Sequence, residues 1–231
     1  MTNQIENIFD NREVASIAAA ERIARALQRR LDAQGEASVV VSGGTSPARV
    51  FTELARTPLA WQDVRVILSD ERWVPSDHED SNEKLVRETL LSGAAQDANL
   101  LPIYKPGVTI ERRCGELNDE LRQAPFPFAC ALLGMGEDGH FASLFPDTEN
   151  LEEGLDVDSS ELCIPVKTVA SPRPRVSLTL SALSRSDEIL LLMFGDRKRE
   201  VYQAATQTAN GYPVFHLLRQ KRAPVHVFWA P

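Results

Sequence analysis

Four short apolar runs constrain this chain most: each is nearly continuous rather than alternating, and each ends at once in glycine or charge. Residues 38–41 (Ser-Val-Val-Val) run into Ser42-Gly43-Gly44-Thr45, and residues 64–68 run into Ser69-Asp70-Glu71-Arg72. Residues 128–133 run into Gly134, and the wholly apolar residues 189–194 run into Gly195. Strands buried on both faces read this way, because helices cover both sides of a parallel sheet. Between the runs lie segments of helical period. Val14, Ile17, Ala20, Ala24, Leu27 and Leu31 share one face of a helix over 12–31, punctuated by Asn11 and Gly35.

The spacing predicts further helices. One follows Ser46-Pro47, read as an N-cap and a first-turn proline, with Val50, Phe51 and Leu54 on its inner face. Another covers 83–91 after Ser81-Asn82. A third carries Ile110, Cys114, Leu117 and Leu121 and stops at Pro125-Phe126-Pro127. Shorter strands are expected at 100–104, at the alternating residues 175–180, and at 225–229. Strands alternating with helices define an α/β, doubly wound, mostly parallel sheet with helices on both faces, Rossmann-like in organisation. No linker or repeat divides the chain, and the acidic segment 147–161 reads as a surface excursion. One domain over residues 1–231 is expected.

Composition narrows the partners. A net charge of −8 disfavours nucleic acid and anionic lipid, so a phosphate ligand requires locally gathered cations. Cys114, Cys130 and Cys163 are odd in number and form no C-x-x-C pair, which supports neither a disulfide framework nor a zinc knot. The polar start of the chain lacks a signal-peptide pattern, and no apolar stretch approaches the roughly 20 residues of a membrane span. A reduced cytoplasmic setting is expected. A metal is not expected either, since Asp138 and His140 make only two clustered ligands.

In open parallel sheets, ligands bind beyond the carboxyl ends of the strands. The polar clusters of this chain all lie there. Gly43 and Gly44 let backbone approach an anion, and Thr45 adds a hydroxyl; the same residues equally suit a tight strand-to-helix turn. The pattern is neither a Walker A loop nor G-x-G-x-x-G, so no nucleotide is indicated. Arg72 suits a phosphate or a developing oxyanion, while Asp70-Glu71-Arg72 could instead be mutually paired. Asn82 could be a helix cap. The sharpest segment is Gly134-Met-Gly-Glu-Asp-Gly-His140, in which Asp138 and His140 can share one loop. Imidazole titrates near neutrality and is a natural general base, and a carboxylate beside it would orient it. No G-x-S-x-G elbow offers a serine nucleophile. Of the basic residues Lys167, Arg173, Arg175, Arg197, Lys198 and Arg199, at least three are expected to be solvated surface charges.

Taken together, these residues resemble the 6-phosphogluconolactonase family. The resemblance rests on Ser42-Gly-Gly-Thr45, on Asp70-Glu-Arg-Trp-Val-Pro75 with Ser81-Asn82, and on Gly134-Met-Gly-Glu-Asp-Gly-His-Phe-Ala-Ser-Leu-Phe-Pro146. Arg175 in its strand and Lys198 after Gly195 match in order and spacing, so nearly the whole chain is covered. The resemblance implies His140 as base, with Gly43, Gly44, Thr45, Arg175 and Lys198 around a phosphate. Arg72 and Asn82 belong to the substrate pocket, while Asp70 and Asp138 act in catalysis or position the loop and histidine. It also implies hydrolysis of 6-phospho-D-glucono-1,5-lactone in the oxidative pentose phosphate route, with no cofactor, as a monomer or homodimer. Glucosamine-6-phosphate deaminases, similar in fold, are the competing reading. Their loop continues Ala-Phe-Asn-Glu-Pro, placing a glutamate where this chain has Phe145, and Arg72 replaces their tyrosine. A sugar-phosphate sensor without turnover is a further class, although no DNA-binding appendage is visible.

Overall fold

The computed structural model describes residues 4–169, 171–208 and 211–231; the first three residues of the polar start lie outside it. In chain order, its first half runs β1 (Gln4–Ile8), α1 (Arg12–Gln34), β2 (Ala37–Val41), α2 (Ala48–Leu54), β3 (Val64–Leu68), β4 (Asp70–Arg72), α3 (Asn82–Thr89), β5 (Asn99–Leu101) and α4 (Ile110–Arg122). The second half runs β6 (Cys130–Gly134), α5 (Leu151–Leu155), β7 (Cys163–Thr168), β8 (Ser171–Leu178) and α6 (Leu180–Leu183). It ends with β9 (Ile189–Phe194), α7 (Asp196–Gln207), α8 (Val214–Arg219) and β10 (Val225–Ala230).

Local chemistry accounts for the main boundaries. Asn11 accepts from the Val14 N–H at the start of α1, and Gly35, at φ 75°, ends the helix in the left-handed region. Ser81 caps α3 by accepting from the Lys84 N–H, and Thr109 caps α4 through the Arg112 N–H. The start of α2 departs from expectation. Pro47 itself is the N-cap, no side chain caps the helix, and Ser46 lies one residue outside.

Seven strands form one sheet in the order β1-β10-β9-β6-β2-β3-β5, and every pair in it is parallel. From β2 the chain steps one way to β3 and β5, then crosses back to β6 and on to β9 and β10. The sheet therefore reverses its winding between β2 and β6, which are registered with Val41 against Leu132. The carboxyl ends of those two strands make the crevice at which doubly wound sheets bind ligands. The interior of the sheet is mostly apolar, with Ser38 and His226 as buried polar exceptions: β2 and β10 are buried along their full length, and so are Ile189–Met193 of β9. α1 packs on this sheet through contacts with β2, β6, β9 and β10.

A second sheet was not anticipated. β4, β8 and β7 form a three-stranded antiparallel unit, with Arg72 opposite Arg175 and Asp70 opposite Ser177. The segment expected as a strand over 175–180 thus pairs outside the parallel sheet. It also ends earlier, because Thr179 caps α6 through the Ala182 N–H. This small sheet stands beyond the carboxyl end of β3, which leads into β4 through Ser69. There the Ser69 N–H donates to Val41 O at 2.8 Å and Leu178 N–H to Ser69 O at 2.8 Å, tying β2, β3 and β8 together. Among the described residues, no helix is long and apolar enough to cross a membrane.

Candidate active site

At the switch point lies a cavity of about 250 Å³, lined by Ser42–Pro47, Asp70, Arg72, Asn82, Gly134–Gly136, His140, Ala142, Arg175 and Lys198. Of the residues that the family resemblance assigns to the site, all line it except Asp138, which is hydrogen-bonded to His140. The site draws on the ends of β2, β6 and β9, on β4 and β8 of the small sheet, and on the first turns of α3 and α7.

The loop after β2 depends on two glycines for different reasons. Gly44 has φ 89°, a conformation that a side chain disfavours. At Gly43, a Cβ would fall 1.8 Å from Asn82 Oδ1, so the loop and α3 meet only because that position is bare. Asn82 is not the cap of α3, since Ser81 has that task. Its Nδ2 donates instead to Asp70 O at 2.8 Å. The helix following the loop begins at Ala48, after a proline without an N–H, so it offers an anion less than the sequence suggested. The hydroxyl of Ser42 opens the same loop. It is buried and its Oγ has no hydrogen-bond partner among the described residues, a state that buried hydroxyls rarely keep without a ligand or water. The resemblance points to Gly43, Gly44 and Thr45 but not to Ser42, although Ser42 opens the same glycine motif.

The trio Asp70-Glu71-Arg72 divides its labour by strand alternation. Asp70 accepts from Ser69 Oγ at 2.8 Å and Ser143 Oγ at 2.6 Å, and Arg175 Nη1 lies 3.8 Å away. Glu71 points into the protein, where its carboxylate accepts from the N–H groups of Arg72, Asn82 and Glu83 and from Ser81 Oγ, all within 3.0 Å. Burial raises its pKa, and those donors pull the other way. The trio is therefore not mutually paired. Arg72 Nη1 donates to Asp80 O at 2.6 Å, whereas its buried Nε has no partner among the described residues.

In the loop after β6, His140 Nδ1 lies 2.6 Å from Asp138 Oδ1, which also accepts the His140 N–H at 3.1 Å. Burial works against the Asp138 carboxylate, but the bonds and charge of His140 outweigh it and hold its pKa below the ordinary aspartate value. An ionised acceptor at Nδ1 fixes the tautomer that carries its proton there, which leaves Nε2 with a lone pair. The loop closes on itself through Gly136 N–H to His140 O at 2.9 Å. Ala142 takes φ 49°, a strained turn of which its sequence gives no sign.

Two cations face this pair. Arg175 donates to Ser171 Oγ at 3.1 Å, and burial lowers its pKa while Asp70 raises it. Lys198 enters from the first turn of α7. Burial lowers its pKa, Glu137 raises it, and Arg12 lowers it again. The other basic candidates lie elsewhere. Arg173 pairs with Asp80 at 2.9 Å, Arg197 with Glu200 at 3.0 Å, Arg199 covers the Trp229 ring, and Lys167 is exposed. Among the described residues, no three His, Cys, Asp or Glu side chains cluster as metal ligands.

The fold and site define an α/β protein whose parallel sheet gathers cations and a hydrogen-bonded imidazole–carboxylate pair at its switch point. Comparison with known proteins makes the class specific. The chain belongs to the glucosamine-6-phosphate isomerase/6-phosphogluconolactonase family, whose description matches residues 10–229. It is 40% identical over 224 residues to a 6-phosphogluconolactonase of Caulobacter vibrioides, covering 96% of this chain and 95% of that protein. It is 38% identical over 225 residues to one from Mesorhizobium japonicum, covering 97% and 94%. The crystal structure of a 6-phosphogluconolactonase from Shewanella baltica superposes with a TM-score of 0.94 at 36% identity, covering 99% of this chain and 98% of that one.

Proposed function

We propose that residues 1–231 act as one catalytic unit that hydrolyses 6-phospho-D-glucono-1,5-lactone to 6-phosphogluconate, with His140 as general base. The observation that carries this reading is the Asp138–His140 pair, at 2.6 Å, in a cavity also lined by Arg175 and Lys198. The cations, Ser42, Thr45 and the glycine backbone suit a phosphate at one end of a hexose. The imidazole then lies beside the lactone carbonyl at the other end, and remote binding becomes orientation at C1.

In this mechanism His140 Nε2 takes a proton from water as the water oxygen adds to C1. Negative charge gathers on the former carbonyl oxygen, where the free Nε–H of Arg72 or the loop N–H groups stabilise it. The imidazolium, steadied by Asp138, returns the proton to the ring oxygen as the C1–O bond breaks. The new carboxylic acid then ionises. A lactone is an activated ester, so no covalent nucleophile is needed. Asp70, already engaged by two serine hydroxyls, acts by holding Arg175. The reaction belongs to the oxidative pentose phosphate route in the cytoplasm.

The test is proton release from freshly prepared lactone, followed at constant pH. The chain should accelerate hydrolysis well beyond the spontaneous rate and release no ammonia from glucosamine 6-phosphate. Ammonia release with no effect on the lactone would replace this reading by the deaminase one, and His140→Ala with unchanged turnover would remove the base.

A further inference from the structure

Phe145 does not line the cavity, yet it touches two groups that do. Its ring centroid lies 4.1 Å from that of the His140 imidazole, with the planes inclined by 33°. The guanidinium carbon of Arg175 lies over the same ring, 5.2 Å from its centroid. The ring is buried and held from both sides of the chain. Phe145 N–H donates to Thr148 Oγ1 at 3.1 Å and Thr148 N–H to Phe145 O at 3.1 Å, while Ser143 Oγ is fixed to Asp70.

A single hydrogen bond to Asp138 leaves an imidazole free to swing about it. A flat apolar neighbour packed on the ring removes that freedom and keeps Nε2 turned to the cavity. The same ring has a second effect. When the histidine becomes a cation, it does so near the permanent charge of Arg175, which costs energy in a partly desolvated site. An aromatic face attracts both cations and offsets that repulsion. A saturated side chain of similar bulk would fill the space without this attraction.

We propose that Phe145 is a positioning residue that sets the His140 ring and the Arg175 guanidinium together, and that its π face, not its bulk alone, supports the imidazolium formed during hydrolysis. The inference rests on the lactonase reading for its kinetic consequences, but not for its effect on the free protein. Besides Arg175, the charged groups that share the cavity with the imidazole are Asp70 and Arg72 from β4 and Lys198 from α7, and Asp138 from its own loop is bonded to it. A change confined to Phe145 alters none of them.

The experiment compares the wild-type chain, Phe145→Leu, and a chain with pentafluorophenylalanine at 145, which keeps the ring's shape and reverses its quadrupole. Imidazole titration followed by NMR on the substrate-free protein should move to lower pH in both altered chains. The acid limb of kcat/KM should move in the same direction, and kcat should fall on the order of tenfold. Arg175 loses its support as well, so KM should rise several-fold. Titration unchanged in the fluorinated chain overturns the proposal, even if Phe145→Leu is slow, since bulk alone then explains the loss. A wild-type chain inactive on the lactone, with the NMR shifts as expected, would sink the lactonase reading and leave the contact standing.

Discussion

Gly136 lies so close beneath the Asp138–His140 pair that a Cβ on it would fall 2.2 Å from His140 Nδ1 and 2.5 Å from Asp138 Oδ1. The backbone passes within touching distance of the hydrogen bond that orients the base, and only glycine permits this. Gly136→Ala therefore has to push the imidazole aside or open the pair. Misplacement of a reacting group by about 1 Å can cost on the order of a hundredfold in rate. We expect that loss in kcat, with KM changed only slightly and the far-ultraviolet dichroism preserved. A variant with normal kcat would mean that the pair tolerates displacement.

Asp138 gives a prediction with a definite pH sense. Its pKa is depressed in the folded chain, so it remains an ionised acceptor wherever an imidazole can act as base. By linkage, its contribution to stability is present above the unfolded value of 3.8 and is lost as pH falls through the lower folded value. Asp138→Asn removes that acid-side loss, and it lets an amide donate to Nδ1, which moves the imidazole proton to Nε2. Turnover should fall by about 10³ to 10⁴, with KM little changed. Steady-state kinetics and acid unfolding curves read the two effects separately.

Lys198 and Arg175 should act on binding. Burial lowers the pKa of Lys198, so it gives up its proton at a lower pH than the ordinary lysine value of 10.5. KM for a phosphorylated substrate should accordingly begin to rise on the alkaline side before a solvated lysine would titrate. Lys198→Ala should raise KM on the order of tenfold or more and abolish that alkaline rise. A loss confined to kcat would take Lys198 away from the phosphate.

These residues also show how far the sequence could be read. α1 was legible from its caps, Asn11 and Gly35, which act through local chemistry, although the helix runs past Leu31 to Gln34. β9 was legible because a strand buried on both faces is apolar throughout, and β3 because only Arg65 interrupts its apolar run. The pocket followed from where those strands stop. The small antiparallel sheet was hidden, since Asp70-Glu71-Arg72 has no apolar period and its partner, β8, is far along the chain. β1, an edge strand carrying polar residues, gave no stronger signal. In the site, Asn82 looked like a cap because helix starts favour asparagine, and only the fold brings it against Gly43. At Phe145 the sequence shows only the lack of a carboxylate; its contacts with His140 and Arg175 depend on tertiary packing that periodicity does not encode.

Glu71 is the clearest case of a charged residue whose work is architectural, and it can be tested through stability. Its carboxylate, buried at 1% exposure, accepts four hydrogen bonds from Arg72, Ser81, Asn82 and Glu83. One side chain thereby joins β4 to the start of α3 and sets both Arg72 and Asn82. Glu71→Gln keeps the shape but turns an amide N–H₂ toward donors, leaving at least the Glu83 N–H without its acceptor. The expected destabilisation is about 2 kcal/mol or more, with a several-fold rise in KM as Asn82 shifts. The pH sense follows from burial, the larger influence, which raises the Glu71 pKa above 4.5. A raised carboxyl pKa contributes stability that is complete below the unfolded value and is lost as pH rises through the folded value. The wild-type advantage over Glu71→Gln in urea unfolding should therefore be greatest near pH 4.5 and narrow toward neutrality. An advantage that widens with pH would show that the four donors outweigh burial and that the carboxylate is held charged.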